Sequence, residues 1–192
     1  MSEEPAPSKR RLRPAQVIVV VVLAGFLVAF LYSALAAARE GARIANCQSN
    51  VHAFGLSYAM YSDLYSNRCP DAGVGKSAAD HFNLLTNVTA AGKIFYCPSD
   101  KYRTPKAEFQ PGDALTSANV SYGYVAGANW QVQPDSILMF DRGLTGTTVG
   151  SRWSKTSPHG TKGGNQLFLD GHVEFKPTLI QTLKGETVVT DP

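Results

Sequence analysis

The sequence predicts an α+β chain, with one long N-terminal helix followed by a small antiparallel sheet, and three observations carry that expectation. Residues 14–38 contain no charged side chain, an apolar stripe at helical spacing continues from Ile44 to Tyr65, and the second half holds short apolar runs that end in an Asp-Gly hairpin signal. The chain has 192 residues, of which 44% are hydrophobic. After the N-terminal tail and apolar run, about 150 residues remain, enough for one compact domain and too few for two ordinary ones. The net charge of +3 is concentrated in the tail, where Lys9, Arg10, Arg11 and Arg13 outnumber Glu3 and Glu4. Beyond it the charges nearly balance and no basic stripe interleaves with aromatics, which argues against nucleic acid as a partner.

The uncharged run is the first element. About 20 helical residues at ~1.5 Å each cross a hydrocarbon core of roughly 30 Å. VIVVVV (17–22) reads as strand in water, but in lipid a lone strand leaves its backbone groups unpaired, so a helix is expected. The cations ahead of it predict a cytoplasmic N-terminus and an extracytoplasmic remainder. The expected organisation is a basic tail over 1–14, a transmembrane helix over 15–38 and an extracytoplasmic domain over 39–192. A cleaved secretory signal is the rival: Ala34-Leu35-Ala36 fits a cleavage site, but the apolar stretch before it is longer than such signals carry.

The helix is expected to continue to about residue 66. Ile44, Cys47, Val51, Phe54, Tyr58, Tyr61 and Tyr65 follow one another at alternating spacings of 3 and 4, one apolar face read as core packing. Gln48, Asn50 and Ser57 fall off that stripe and are expected to face water, while Gly41 and Gly55 weaken the helix by up to ~1 kcal/mol each. Ser77 is a candidate N-cap for a short helix to about Asn87. A strand is expected at 93–97, stopped by Pro98, and 98–118 reads as a surface loop broken by Pro105 and Pro111. Further strands are expected at 120–125, 136–140 and 166–175. The last is split by Asp170-Gly171, the signature of a type I′ two-residue turn, with Leu167 and Leu169 alternating as in a half-buried strand.

Cys47, Cys69 and Cys97 all follow the apolar run, so in an oxidising compartment the simplest arithmetic is one disulfide and one spare thiol. Cys47–Cys97 and Cys69–Cys97 both join the helical region to the sheet region, and either would close a loop of roughly 30–50 residues, contributing ~3–4 kcal/mol by chain entropy. Zinc competes, but the cysteine spacings are wide and no CxxC pair exists. Among the histidines, His52 borders the apolar stripe, and His81 is expected in solvent. His159 and His172 flank the hairpin and could approach each other. Pairing one of them with Asp141 or Asp170 would be the enzymatic reading, but no nucleophile stands in a recognised setting. No enzyme activity and no cofactor are therefore expected. Calcium is the nearest exception, through Asp100, Asp141 and Asp170 at loop or strand ends, although no contiguous acidic loop is present.

Several stretches, in order along most of the chain, resemble bacterial type IV pilin-like proteins: SALAAAREGARIANCQSNVHAFGLSYAMYSD (33–63), FYCPSD (95–100), SYGYVAG (121–127), LMFDRG (138–143) and SPHGTKGGNQLFLDGHVEF (157–175). The closest likeness is to a pseudopilin-like group marked by His, about nine residues, then Asp-Gly; here His159 and Asp170-Gly171 enclose ten. The resemblance implies a type IV pilin-like fold and a structural or interaction role related to type II secretion or type IV pilus systems. It also implies a bacterial cytoplasmic membrane location with a periplasmic domain. The implied partners are other pilin-like or secretion-system proteins, or further copies of this chain. It points to Cys47–Cys97 as the disulfide, with Cys69 as the alternative partner. A side-chain link from His159 to Asp170 is expected to tie the loop to the hairpin. The family's prepilin peptidase site is replaced by Arg11 and the run LRPAQ, with Gln16 where a glutamate would stand, so an uncleaved N-terminus is expected. The alternative function is a membrane-tethered ligand- or polysaccharide-binding module, with Trp130, Trp153 and tyrosines stacking on sugars in a groove beside the hairpin.

Overall fold

A computed structural model describes residues 14–106, 108, 113–127, 135–183 and 187–189, the last three as backbone only; the basic tail, Pro111 and Trp130 lie outside the described residues. The elements in chain order are α1 (Pro14–Leu64), α2 (Ala78–Asn83), β1 (Tyr122–Ala126), β2 (Ile137–Asp141), β3 (Gly164–Phe168), β4 (Val173–Lys176) and β5 (Thr187–Val189). The fold is α+β, and the five strands form one antiparallel sheet in the order β4-β3-β2-β1-β5. The chain divides into two compact units, Met1–Gly41 and Ala42–Pro192.

In the first unit α1 is long and apolar enough to cross a membrane, and none of its most apolar stretch is buried by protein. Val17–Val22, Phe26 and Phe30 all present their side chains outward. Ser33 directs its hydroxyl back to Phe30 O at 2.8 Å, which removes a polar group from the apolar face.

In the second unit α1 buries Cys47, Val51, Phe54, Tyr58 and Tyr61, so the stripe is core, while Ile44 is half-buried and Tyr65 exposed. Ser57 is also buried and bonds Ala53 O at 3.0 Å; it faces the protein and not water as the spacing suggested. Gly55 has a packing reason: a Cβ there would stand 3.2 Å from Leu167 Cδ1, so the missing side chain lets β3 approach the helix. Ser66 and Asn67 then adopt positive φ, and Asn67 N–H reaches Ser62 O at 2.7 Å, which closes the helix.

Ser77 caps α2 in a reciprocal box with Asp80, and the bonds from Ser77 hold the Asp80 carboxyl below its ordinary range. The helix then tightens into a 3-10 turn over Leu84–Asn87. Phe82 meets Phe54, Phe95 and Tyr124 with ring centroids at 4.8, 5.6 and 5.5 Å, an aromatic centre shared by helix and sheet.

Residues 93–97 are not a strand. Gly92–Phe95 forms a 3-10 turn, because Asn50 Nδ2 donates to Lys93 O at 3.1 Å and Tyr96 O at 2.9 Å, fixing carbonyls that a ladder would need. The hairpin also departs from the two-residue turn. Gly171 N–H donates to Phe168 O at 2.9 Å, Phe168 N–H donates to His172 O at 3.0 Å, and only Gly171 of the connection has positive φ, +90°. A type I′ turn needs two such residues; this is the three-residue turn with a glycine bulge. Strand β3 is wholly buried rather than half-buried. It lies between β2 and β4, and Gln166 is satisfied inside: its Nε2 donates to Thr178 O at 3.2 Å and its Oε1 accepts from Ile180 N at 3.2 Å.

Candidate functional site

The polar centre of the second unit sits where β1, β2 and β3 end together. Register places Tyr122 opposite Asp141, and Asp141 Oδ2 accepts the Asn165 backbone N–H at 2.8 Å and its Nδ2 at 3.0 Å. Asp141 has no exposed surface. Burial drives its carboxyl up to about 7, against the Asn165 hydrogen bonds and the Arg142 charge that pull it down. The same burial, with Asp141 and Asp100 nearby, raises the Tyr122 phenol well above its usual range. The next residue, Arg142, grips Asp100 through Nε and Nη2, both at 2.6 Å, with its guanidinium 5.4 Å from the centre of the Tyr102 ring. Trp153 closes one side, donating its indole N–H to Asp141 O at 2.9 Å.

His159 enters this cluster from the loop before the glycines. Ser157 Oγ donates to Gly160 O at 2.8 Å, and Gly163 takes φ +147° where a Cβ would lie 2.4 Å from Lys176 O. A side chain on Gly164 would strike the Trp153 ring at 2.3 Å. The paired glycines thus seat the loop flat against β4 and Trp153, and they turn His159 inward. Its Nε2 stands 3.5 Å from Cys97 Sγ and 3.8 Å from Asp141 Oδ2, with its ring edge on Phe175 at 5.3 Å. Cys97 is bonded to Cys47 across 50 residues of sequence. Cys69 stays outside the bridge, its Sγ 2.8 Å from Tyr58 Oη, and burial raises its thiol.

The structure does not tie His159 to Asp170. The two lie at opposite ends of β3, and Asp170 accepts both the backbone N–H and the ring Nδ1 of His172, which stacks on Phe168 at 3.9 Å. His159 and His172 do not approach each other either. Asp141 and Asp100 are neighbours, but Asp170 sits beyond the far end of β2, where Leu169 N meets Ser136 O. Asp100, Asp141 and Asp170 are therefore not gathered around one calcium. His81, expected in solvent, is buried under β1, its Nδ1 accepting the Ala72 N–H at 3.0 Å and its ring 5.5 Å from Tyr124. His52 is exposed. Trp153 is buried, so it offers no stacking face.

A groove of 310 Å³ does lie beside the hairpin, lined by Tyr58, Ala59, Ser62, Leu138, Phe168 and Leu169 among others. The His159 cluster is closed to solvent, whereas this groove is open and mostly apolar. The sequence pointed to Cys47–Cys97 through the resemblance and named Asp141 as a candidate partner of His159, but spacing gave no hint that all four converge, because each comes from a different part of the chain. Comparison with protein-family models, curated proteins and solved structures gives no match.

Proposed function

We propose that the protein is a non-enzymatic, pseudopilin-like component of a bacterial cytoplasmic membrane, with its N-terminus inside and its sheet domain outside. The observation that supports this reading most is α1 itself: one continuous 51-residue helix whose residues 17–31 expose only apolar side chains and whose later part contributes to the core of an antiparallel α+β unit. In this reading the membrane segment packs laterally on similar helices through Ala24, Gly25, Ala29, Ser33, Ala34 and Ala37, whose small side chains permit close approach. The partners are pilin-like or secretion-system proteins, including further copies of the chain.

Single cysteines introduced at Ala24 and Ala29 in a cysteine-free background test the proposal in native membranes. A ladder of oxidised adducts, together with labelling of a cysteine beyond residue 42 by an impermeant reagent applied outside, is the expected result. An intact monomer at every position, or a domain reachable only after lysis, overturns it. The open groove favours a second reading, a membrane-tethered module for a small apolar ligand. Tryptophan substitution at Ala59 would then abolish ligand uptake without disturbing the adduct ladder.

A further inference from the structure

We propose that Cys47, Cys97, His159 and Asp141 form a zinc site in the reduced protein, so that one buried location holds either a disulfide or a metal ion. The two sulfurs and an imidazole nitrogen of His159 all lie within 4.8 Å of one another. A tetrahedral zinc with Zn–S ~2.3 Å and Zn–N ~2.0 Å keeps its ligand atoms about 3.4–3.8 Å apart. Cys97 Sγ to His159 Nε2 is 3.5 Å, already at that spacing, and the Asp141 carboxyl is adjacent, its Oδ2 3.8 Å from His159 Nε2. The two sulfurs, bonded to each other in the oxidised chain, must part, and the Asp141 carboxyl must swing toward them.

Asp141 borders this group of three without belonging to it; it is the nearest side chain that could complete the site, and it supplies a second, independent observation. Its Oδ1 is buried with no hydrogen-bond partner among the described residues, an orphaned acceptor that a cation satisfies. Asn165 holds the other oxygen in place, as outer residues orient ligating carboxylates. All four donors are buried, which suits a closed structural site with no open position. Thiolate and imidazole donors select zinc over calcium or magnesium, which prefer oxygen.

The exchange balances with an external dithiol as electron donor. Its two thiols reduce the Cys47–Cys97 bond and become a disulfide, leaving two protein thiols. Zinc then binds both as thiolates, releasing two protons. On reoxidation an external disulfide accepts the two electrons, takes up two protons and leaves as two thiols, while Cys47 and Cys97 rejoin and the ion is expelled.

The test uses the full chain in detergent with Cys69→Ser, reduced by a phosphine and desalted under argon before zinc is added. One zinc per chain after gel filtration in the reduced protein, and none in the oxidised protein, is expected. Cobalt in place of zinc should give thiolate-to-metal charge-transfer absorption, and C69S/H159Q should lose stoichiometric uptake. The proposal fails if the reduced C69S chain elutes without metal, or if C69S/H159Q still carries one zinc. Should the reduced chain lose its fold, reduction in the presence of zinc decides: recovered ellipticity with one zinc supports the site, and zinc without recovered ellipticity overturns it.

Discussion

Asp141 and Asn165 form a buried two-point clasp, in which one carboxylate oxygen accepts both the backbone and the side-chain N–H of the same residue. Those bonds favour the charged form, yet burial outweighs them, and the carboxyl titrates at about 7 instead of 3.8. Between about pH 4 and 7 the folded chain therefore holds a proton that the unfolded chain has released. Stability falls as pH rises through that window, by a few kcal/mol in all, since each tenfold change in proton affinity is worth ~1.4 kcal/mol. Urea midpoints of the oxidised chain at pH 5, 6, 7 and 8 should decline, and Asp141→Asn, which keeps the acceptor and removes the charge, should flatten the decline. An equally steep slope in the variant would count against the assignment.

The Cys47–Cys97 bridge encloses 50 residues of sequence separation, for which chain entropy gives about 4 kcal/mol. Replacing both cysteines by serine should lower the denaturant midpoint by a corresponding amount. Replacing Cys69 alone should cost far less, since it crosslinks nothing.

Arg142 and Asp100 are both almost fully buried and joined by two hydrogen bonds. Arg142→Met leaves a buried carboxylate without its cation, a loss of roughly 3–5 kcal/mol. The double variant R142M/D100N removes both charges and should recover a large part of that loss in thermal unfolding. If the double variant is no more stable than the single one, the pair is not the source of the effect.

Two glycines should respond oppositely in kind. Gly164→Ala pushes a methyl group into Trp153 and should cost about 1–3 kcal/mol by overpacking, with a shift in indole fluorescence. Gly171→Ala meets open space and should cost only the left-handed backbone penalty, about 1–2 kcal/mol, with the indole signal unchanged.

The parts of the fold legible in the sequence were those written in local pattern. The 3-4 spacing from Cys47 to Tyr61 marks the buried face of α1, Ser77 marks the start of α2, and apolar runs mark β1 and β2 to within two residues. What escaped depended on contacts distant in sequence. Asn50 reaches across to Lys93 and Tyr96 and turns an apparent strand into a 3-10 turn. Gln166 finds partners after residue 177, which lets a polar strand sit wholly inside. The meeting of the Cys47–Cys97 pair with His159 was hidden for the same reason, since nothing near Cys47 signals a histidine 112 positions away, the difference between residues 159 and 47. β5, three residues long, owes its existence to pairing with β1 and carries no signal of its own.

The bridge at Cys47 joins α1 to the segment before β1 only a few residues beyond the division at Gly41. A load applied from the N-terminal side of α1 therefore enters the globular unit through a covalent bond at its threshold. Val51, Phe54 and Tyr58 cannot be unzipped from that end one by one; they are shielded from traction, which the bridge passes to the chain beyond Cys97. Opening the bridge would change the domain from a riveted attachment into a peelable one.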